Sequence, residues 1–405
     1  MSRRAALIAV AGALGSLLAS VNLATPLYAG YSERFGFSSA TLSLIFATYA
    51  LVLIPSLLAF GQLSDQWGRR PVIVAGLGVA IVGLVLFAIA DGVAWLFAAR
   101  VVQGLAVGMI SGAATAALVE LEPGGKRRQA ALLATLAQAG GSATGPLIAG
   151  ILAQWAPAPR VLSYVVGMAT LAVFGGFLLA VPEPAERRGA GWRIQRPAVP
   201  RAIRAPFIRV ALTAAAVWSV AGLFLSVVPS YVSSINGSKN LAALGTITSV
   251  MLLASCLGQL VVRQGAPPAA TQTTGLLLLA LGLLGLVLAS PANLIALLVV
   301  GAALAGLGHG LGFLAAQDDL NAIAPDERRG EVTAAFISCI YLGVPLSVIG
   351  AGVVAAGVSL FTGVAVFAAV TGAGALLVAA WHFTSDRGEP AAPEHRPLLR
   401  LSGYR

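Results

Sequence analysis

Apolar stretches of about twenty residues follow one another along this chain, separated by short polar turns. A helix needs ~20 apolar residues to cross a hydrocarbon layer ~30 Å thick. Runs of that kind fall at 5–30, 38–62, 71–91, 93–121, 129–155 and 160–180, and resume at 206–233, 241–262, 269–290, 292–317, 331–355 and 358–383. The pattern predicts an all-α membrane protein of twelve transmembrane helices. One long interruption, VPEPAERRGAGWRIQRPAVPRAIR from Val181, is rich in Pro, Arg and Gly. It divides the chain into an N-terminal six-helix bundle at 1–180, a central loop at 181–205 and a C-terminal six-helix bundle at 206–383, with a tail at 384–405 that reads as disordered. The first apolar run resembles a signal peptide but is too long for one, and reads as the first span.

Composition supports the same solvent. Hydrophobic residues make up 58% of the 405 residues and charged residues only 10%, against about a quarter charged in soluble domains. The net charge of +10 does not point to nucleic acid, because the cations sit in short loops rather than on a polar, aromatic-studded domain. Their distribution sets orientation instead. Of the 25 cations, 21 fall on the side of the N-terminus, Arg34, Arg160 and Lys239 on the other, and Arg100 within a span. By the positive-inside rule both termini and the central loop are expected to be cytoplasmic. Cys256 and Cys339 lie in apolar runs and read as packing residues.

The two halves repeat each other. Pro26-Leu-Tyr28 returns as Pro229-Ser-Tyr231, GQLSDQWGRRP from Gly61 as GQLVVRQGAPP from Gly258, and GLAVG from Gly104 as GLGHG from Gly306; Pro123 near KRR matches Pro325 near RR. The offsets lie between 197 and 203 residues. Six spans per half make the repeats parallel, related by an axis along the membrane normal.

On these residues the chain resembles a major facilitator superfamily transporter. Gly61-x-Leu63-x-Asp65-x-x-Gly68-Arg69-Arg70 is similar to the family's signature between spans two and three. Arg100-x-x-Gln103-Gly104 resembles its fourth-span signature, and Gly141-x-x-x-Gly145-Pro146 a fifth-span motif of its exporters, of whose later glycines only Gly150 remains. The resemblance implies two six-helix bundles rocking about a central site, with Asp65 meeting the start of span eleven near Glu331 to close the inner side. Arg69 and Arg70 would reach Glu120 or Glu122, completing a latch of a few kcal/mol that biases an open–closed equilibrium. The plain alternative is a turn whose arginines only set topology. The second copy carries Val262 where the acid would stand.

Groups inside the spans are few. Arg100, ~10 Å deep at ~1.5 Å per residue, either snorkels to the outer interface toward Asp91 or faces the cavity to bind anionic substrate groups or take part in coupling. His309 is a proton carrier or a neutral packing group, and its glycine neighbours read as close helix contacts. Asp318 and Asp319 form a solvated helix end or a buried site. Asn22, Tyr28, Gln138, Ser142, Trp218 and Tyr231 are candidates to line a cavity or to bond between helices. Gly145-Pro146 and Pro345 are candidate kinks. Span one holds Asn22 where many proton-coupled drug exporters of the superfamily carry an acid, so proton coupling would run through His309, the Asp318–Asp319 pair or the substrate.

The expected function is secondary transport of a small molecule across a bacterial inner membrane, by a monomer, with no metal or cofactor. Export of a drug or amphipathic metabolite is the leading reading, and import of a small anionic metabolite the alternative. No GxxxxGK[ST] phosphate loop is present. A membrane-embedded enzyme would need clustered His, Asp, Glu or Cys at one depth, and a transport-dead sensor an extra signalling domain.

Overall fold

A computed structural model of the chain describes residues 1–122, 124, 126–183, 196–237, 240–262 and 266–386. The expectations for central-loop residues 184–195, tail residues 387–405, Pro123, Lys239 and Arg263 lie outside the described residues.

Regular structure among the described residues is helical throughout. The first half comprises α1 (Arg3–Asn22), α2 (Tyr28–Phe35), α3 (Ser39–Trp67), α4 (Arg69–Ala88), α5 (Val93–Leu121), α6 (Arg127–Trp155) and α7 (Leu162–Leu179). The second comprises α8 (Arg204–Ser226), α9 (Val228–Asn236), α10 (Leu241–Val261), α11 (Pro268–Ala289), α12 (Ile295–Ile323), α13 (Arg329–Gly357) and α14 (Leu360–Asp386). The first expected span, 5–30, is broken by a 3-10 turn over Thr25–Leu27, and the seventh between Ser226 and Val228. Both breaks fall beside a proline, Pro26 and Pro229, which lacks the N–H a continuous helix would use. The chain resumes as short helices that end on left-handed Gly36 and Gly237.

Among the described residues, eleven segments are long and apolar enough to cross a membrane. The remaining expected span, 129–155, is helix α6, which carries Thr135, Gln138, Ser142 and Thr144. Its extra polarity is accommodated because α6 packs between α1 and α10 rather than standing alone in lipid.

Duplication extends to packing. Contacts of α1 with α5, α6 and α7, and of α4 with α5 and α7, recur as those of α8 with α12, α13 and α14, and of α11 with α12 and α14. Each half has its own apolar core. The outer surface is equally apolar, with Val173, Phe177, Leu346, Val370 and Leu377 exposed. In lipid, close backbone approach rather than apolar burial holds helices together. Accordingly Gly104 and Gly108 of α5 meet the backbone of α3 at Tyr49 and Leu57, and Gly306 and Gly310 of α12 meet α10 at Met251 and Ser255.

The halves join through two related crossings, α3 with α13 and α6 with α10. At the second, a Cβ on Gly150 would lie 2.5 Å from the Leu241 carbonyl oxygen, and Gly245 abuts the Pro146 carbonyl. Ser249 Oγ donates to the Ala143 carbonyl at 2.7 Å, and Leu241 N–H to Gln154 Oε1 at 2.9 Å. At the first, Gly352 abuts Ser43. These contacts lie toward the face remote from the arginine-rich turn at Gly68, and α6 and α13 run unbroken through Pro146 and Pro345.

Candidate functional site

Arg100 is fully buried on α5, and it does not snorkel toward Asp91, which is exposed. It lies in the seam between α5 and the α1–α2 break, where the interrupted helix supplies what a guanidinium needs. Its Nε donates to Tyr28 Oη at 2.7 Å. Its Nη1 donates to the Val21 carbonyl at 3.1 Å and to Gln103 Oε1, one turn on, at 2.9 Å. The rings of Tyr28, Phe46, Tyr49 and Phe87 stand 5.4–5.8 Å from its guanidinium carbon. Hydrogen bonds to a charged group are worth ~1.5–3 kcal/mol each, and cation–π contacts ~0.5–2, so the charge is held without a carboxylate. Its Nη2 has no hydrogen-bond partner.

In the other half His309, midway along α12, is buried. Its Nδ1 shares a 2.8 Å hydrogen bond with Ser255 Oγ of α10. Its ring packs edge-on to Trp218 of α8 at 5.3 Å, and Trp218 also meets Phe313 at 5.3 Å and Tyr341 of α13 at 6.3 Å. Tyr341, like Tyr49, packs on the core of the first half. Aromatic side chains therefore flank the interface on both sides, the Arg100 cage in one half and the Trp218 cluster around His309 in the other. Tyr49, Phe46, Phe313 and Tyr341 were invisible to motif reading, since aromatics in apolar spans carry no distinguishing spacing.

Other expected cavity residues are bonded elsewhere. Asn22 is buried and its Nδ2 donates back to Leu18 O at 2.9 Å; half-buried Gln138 donates to Ala134 O at 3.3 Å. Tyr231 is buried, its hydroxyl on the Leu286 carbonyl at 3.2 Å. That bond mirrors Tyr31 on the Phe87 carbonyl at 3.1 Å, so Tyr231 corresponds in contact to Tyr31 rather than to Tyr28. Gly141 and Gly145 seat α6 against Gly15 and Ala19 of α1. Asp319 accepts from Gln272 of α11 at 2.9 Å, while Asp318 is exposed.

The arginine-rich turn follows from Gly68, whose φ of +99° is strained for any residue bearing a Cβ. It lets α3 end and α4 begin without a linker. Arg69 reaches Asp65 at 2.5 Å, Glu120 of α5 at 3.0 Å and Ser64 Oγ at 2.6 Å. Arg70 donates to the Val181 carbonyl at 3.1 Å rather than to either acid, and Glu122 accepts from the Gly124 and Lys126 amides. Asp65, 45% exposed, meets Arg69 and not the start of α13, where Glu331 is occupied by Arg328. The first turn of α4 carries two arginines and no acid. Glu183 supplies the missing anion, its carboxylate accepting from the Arg69 amide at 2.6 Å and the Arg70 amide at 3.2 Å. Sequence reading passed over it as a loop residue; the signal was an acid just past span six opposite a helix start with none.

Comparison with known proteins agrees with this architecture. Among curated proteins, similarity reaches 28% identity over 36% of this chain and 35% of the MFS-type transporter YybF of Bacillus subtilis. It reaches 31% over 36% of the chain and 32% of the methylenomycin A resistance protein of the same organism. For the quinolone resistance protein NorA of Staphylococcus aureus it is 23% over 44% and 45%. The matches thus span less than half of these relatives. Among solved structures, the nucleoside transporter NupG aligns with a TM-score of 0.74 at 11% identity, covering 94% of this chain and 99% of that one. A D-xylose-proton symporter aligns at 0.72 and 16% identity, covering 93% and 97%. Both likenesses concern the fold. The family model of the Major Facilitator Superfamily matches residues 8–292 and 268–403. With the duplicated bundles, the close glycine crossings and nearly the whole chain matched, this protein belongs to the Major Facilitator Superfamily of membrane transporters.

Proposed function

We propose that this transporter exports small amphipathic molecules across a bacterial inner membrane by alternating access, as a monomer whose arginine-rich face and termini are cytoplasmic. The observation that carries the reading is the one-sided closure. The close contacts of Gly150 with Leu241 and of Gly245 with Pro146 join the halves at the face remote from the arginines, while Asp65 and Glu331, 45% and 42% exposed, each pair within their own half. On this reading the chain is in its inward-open state. In the outward-open state Asp65 would turn onto the N-terminus of α13, an arrangement favoured by the helix dipole by ~0.3–1 kcal/mol. Gly61, Gly68, Arg69, Arg70 and Glu120 would hold the turn in place for that contact.

Support for export comes from the resistance proteins among the relatives and from the Gly145-Pro146 motif. The coupling ion on this reading is the proton, with His309 as the titrating group, because acids such as Asp65, Glu120 and Asp319 sit near helix ends. A second reading, uptake of a small anionic metabolite, is favoured by Arg100, which is buried without a carboxylate partner. Sealed vesicles with an imposed pH gradient and a compound panel decide between them. Gradient-driven efflux is expected; cargo retained at every gradient overturns the export reading, and gradient-driven uptake establishes the second.

A further inference from the structure

We infer that the molecule carried is a flat aromatic compound bearing an anionic oxygen, a carboxylate or phenolate; the inference rests on the transporter reading and adds the chemistry of the substrate. Three buried polar atoms without a hydrogen-bond partner, Arg100 Nη2, Trp218 Nε1 and His309 Nε2, belong to the aromatic groups on either side of the interface. Arg100 and His309 are 0% and 4% exposed, and they belong to different halves. Aromatic side chains stand between them on both sides of the interface: Tyr49 lies 5.8 Å from the Arg100 guanidinium carbon, Tyr49 and Tyr341 pack against the same first-half core, and Trp218 stands 6.3 Å from Tyr341 and 5.3 Å from His309. All three groups sit inside their helices, with Arg100 ~10 Å along α5, Trp218 ~21 Å along α8 and His309 ~21 Å along α12 at ~1.5 Å per residue.

Each feature specifies part of a ligand. Ring faces and edges at 5–6 Å spacing favour a planar π-system, which stacks or packs edge-on against them. A buried N–H without an acceptor is costly, and two are present, on Arg100 and Trp218; an oxygen carried on the ligand satisfies either. The sign of that oxygen follows from charge. Arg100 is a fixed cation that donates to a hydroxyl, a carbonyl and an amide oxygen. A carboxylate or phenolate neutralises it, whereas a cationic ligand would bring a second positive charge into the same low-dielectric region. Arg100 and Trp218 belong to different halves, so a ligand engaging both would meet the requirement for one whose presence is felt by the rocking motion.

The test uses the full-length protein in lipid nanodiscs and three ligands that share one ring system: naphthoate, naphthylmethanol and naphthylmethylammonium. Calorimetric titration is expected to rank naphthoate tightest and the ammonium weakest, with roughly 30-fold between them, since charge-assisted hydrogen bonds are about twice as strong as neutral ones. In Arg100→Gln the preference of naphthoate over the alcohol should collapse while the alcohol affinity stays; in Trp218→Phe all three should weaken together. Wild-type protein alone decides the ranking should the arginine variant fail to fold. Ammonium binding as tight as naphthoate, no binding of any of the three, or an unchanged preference in a folded Arg100→Gln protein overturns the inference. Transport of some other compound by vesicles alongside such a failure would leave the transporter reading standing.

Discussion

Replacing Gly150 with alanine puts the one-sided closure under direct strain. The added Cβ would sit 2.5 Å from the Leu241 carbonyl oxygen and 3.2 Å from the Ala242 Cα, the first about 0.9 Å inside the 3.4 Å at which ordinary contact begins. Both neighbours are backbone atoms of α10 and cannot rotate away, so α6 and α10 must part by a comparable amount. Parting stretches the Leu241 N–H bond to Gln154 and the Ser249 bond to the Ala143 carbonyl, at 2.9 and 2.7 Å. Overpacking of this kind costs ~1–3 kcal/mol, which lowers the closed-face state relative to its open counterpart by roughly 5–150-fold at ~1.4 kcal/mol per decade. A cysteine at Ser249, with Cys256 and Cys339 changed to serine, reports the change through labelling by a membrane-impermeant maleimide from the remote face. Labelling should accelerate by that factor in Gly150→Ala. Gly140→Ala serves as the control on the same helix, because nothing lies within 4 Å of its Cβ position. An unchanged rate in Gly150→Ala, or equal acceleration in Gly140→Ala, refutes the reasoning.

Three further outcomes are expected. Glu183→Ala removes the carboxylate from the start of α4 and should lower stability by ~1–2 kcal/mol, read as a drop in thermal midpoint in nanodiscs; Glu183→Gln should fall between, and an unmoved midpoint in the alanine variant contradicts the cap. Gly310→Ala brings a Cβ to 2.9 Å from the Ser255 carbonyl carbon and 3.0 Å from the Gln259 amide, so it should destabilise by ~1–3 kcal/mol and displace Ser255 from His309; wild-type stability together with wild-type transport would count against that crossing. Asp65→Asn removes an ion pair that is half exposed and worth under ~1 kcal/mol in this state. Its expected effect is slower turnover with greater access from the arginine-rich face, and unchanged values of both remove the gating role.

Several parts of this structure were legible in local stretches. The glycines beside His309, at 306 and 310, could be read as close contacts because small residues in an apolar span have few other uses, while Gly104 and Gly108 were legible only as their repeat counterparts. Arg69 and Glu120 could be paired from a signature and a helix end. Arg100 was conspicuous as the charge inside a span. Its surroundings were not, because the partners arrive from Val21, Tyr28, Phe46 and Phe87, on other helices. Glu183 meets a turn 114 residues upstream. The shared Pro-x-Tyr pattern was legible as a repeat but not as the site of the two helix breaks, and it paired Tyr28 with Tyr231, whereas Tyr231 takes the contact that Tyr31 makes one turn past Tyr28.

What the chain determined by itself was its solvent, the positions of its spans and its duplication, because a hydrocarbon layer demands a minimum apolar length and excludes unpaired charge wherever the helix comes to rest. Which side of each helix faces inward was decided only by tertiary packing. On α13, Val344 and Val348 are buried at 5% and 0% exposure while Leu342 and Leu346 stand at 50% and 73%. Lipid and protein core reward the same side chains, so apolar periodicity cannot tell one from the other. The packing of Tyr341, the neighbour of Trp218, against the first half likewise exists only once two halves, each complete in its own core, are set against each other.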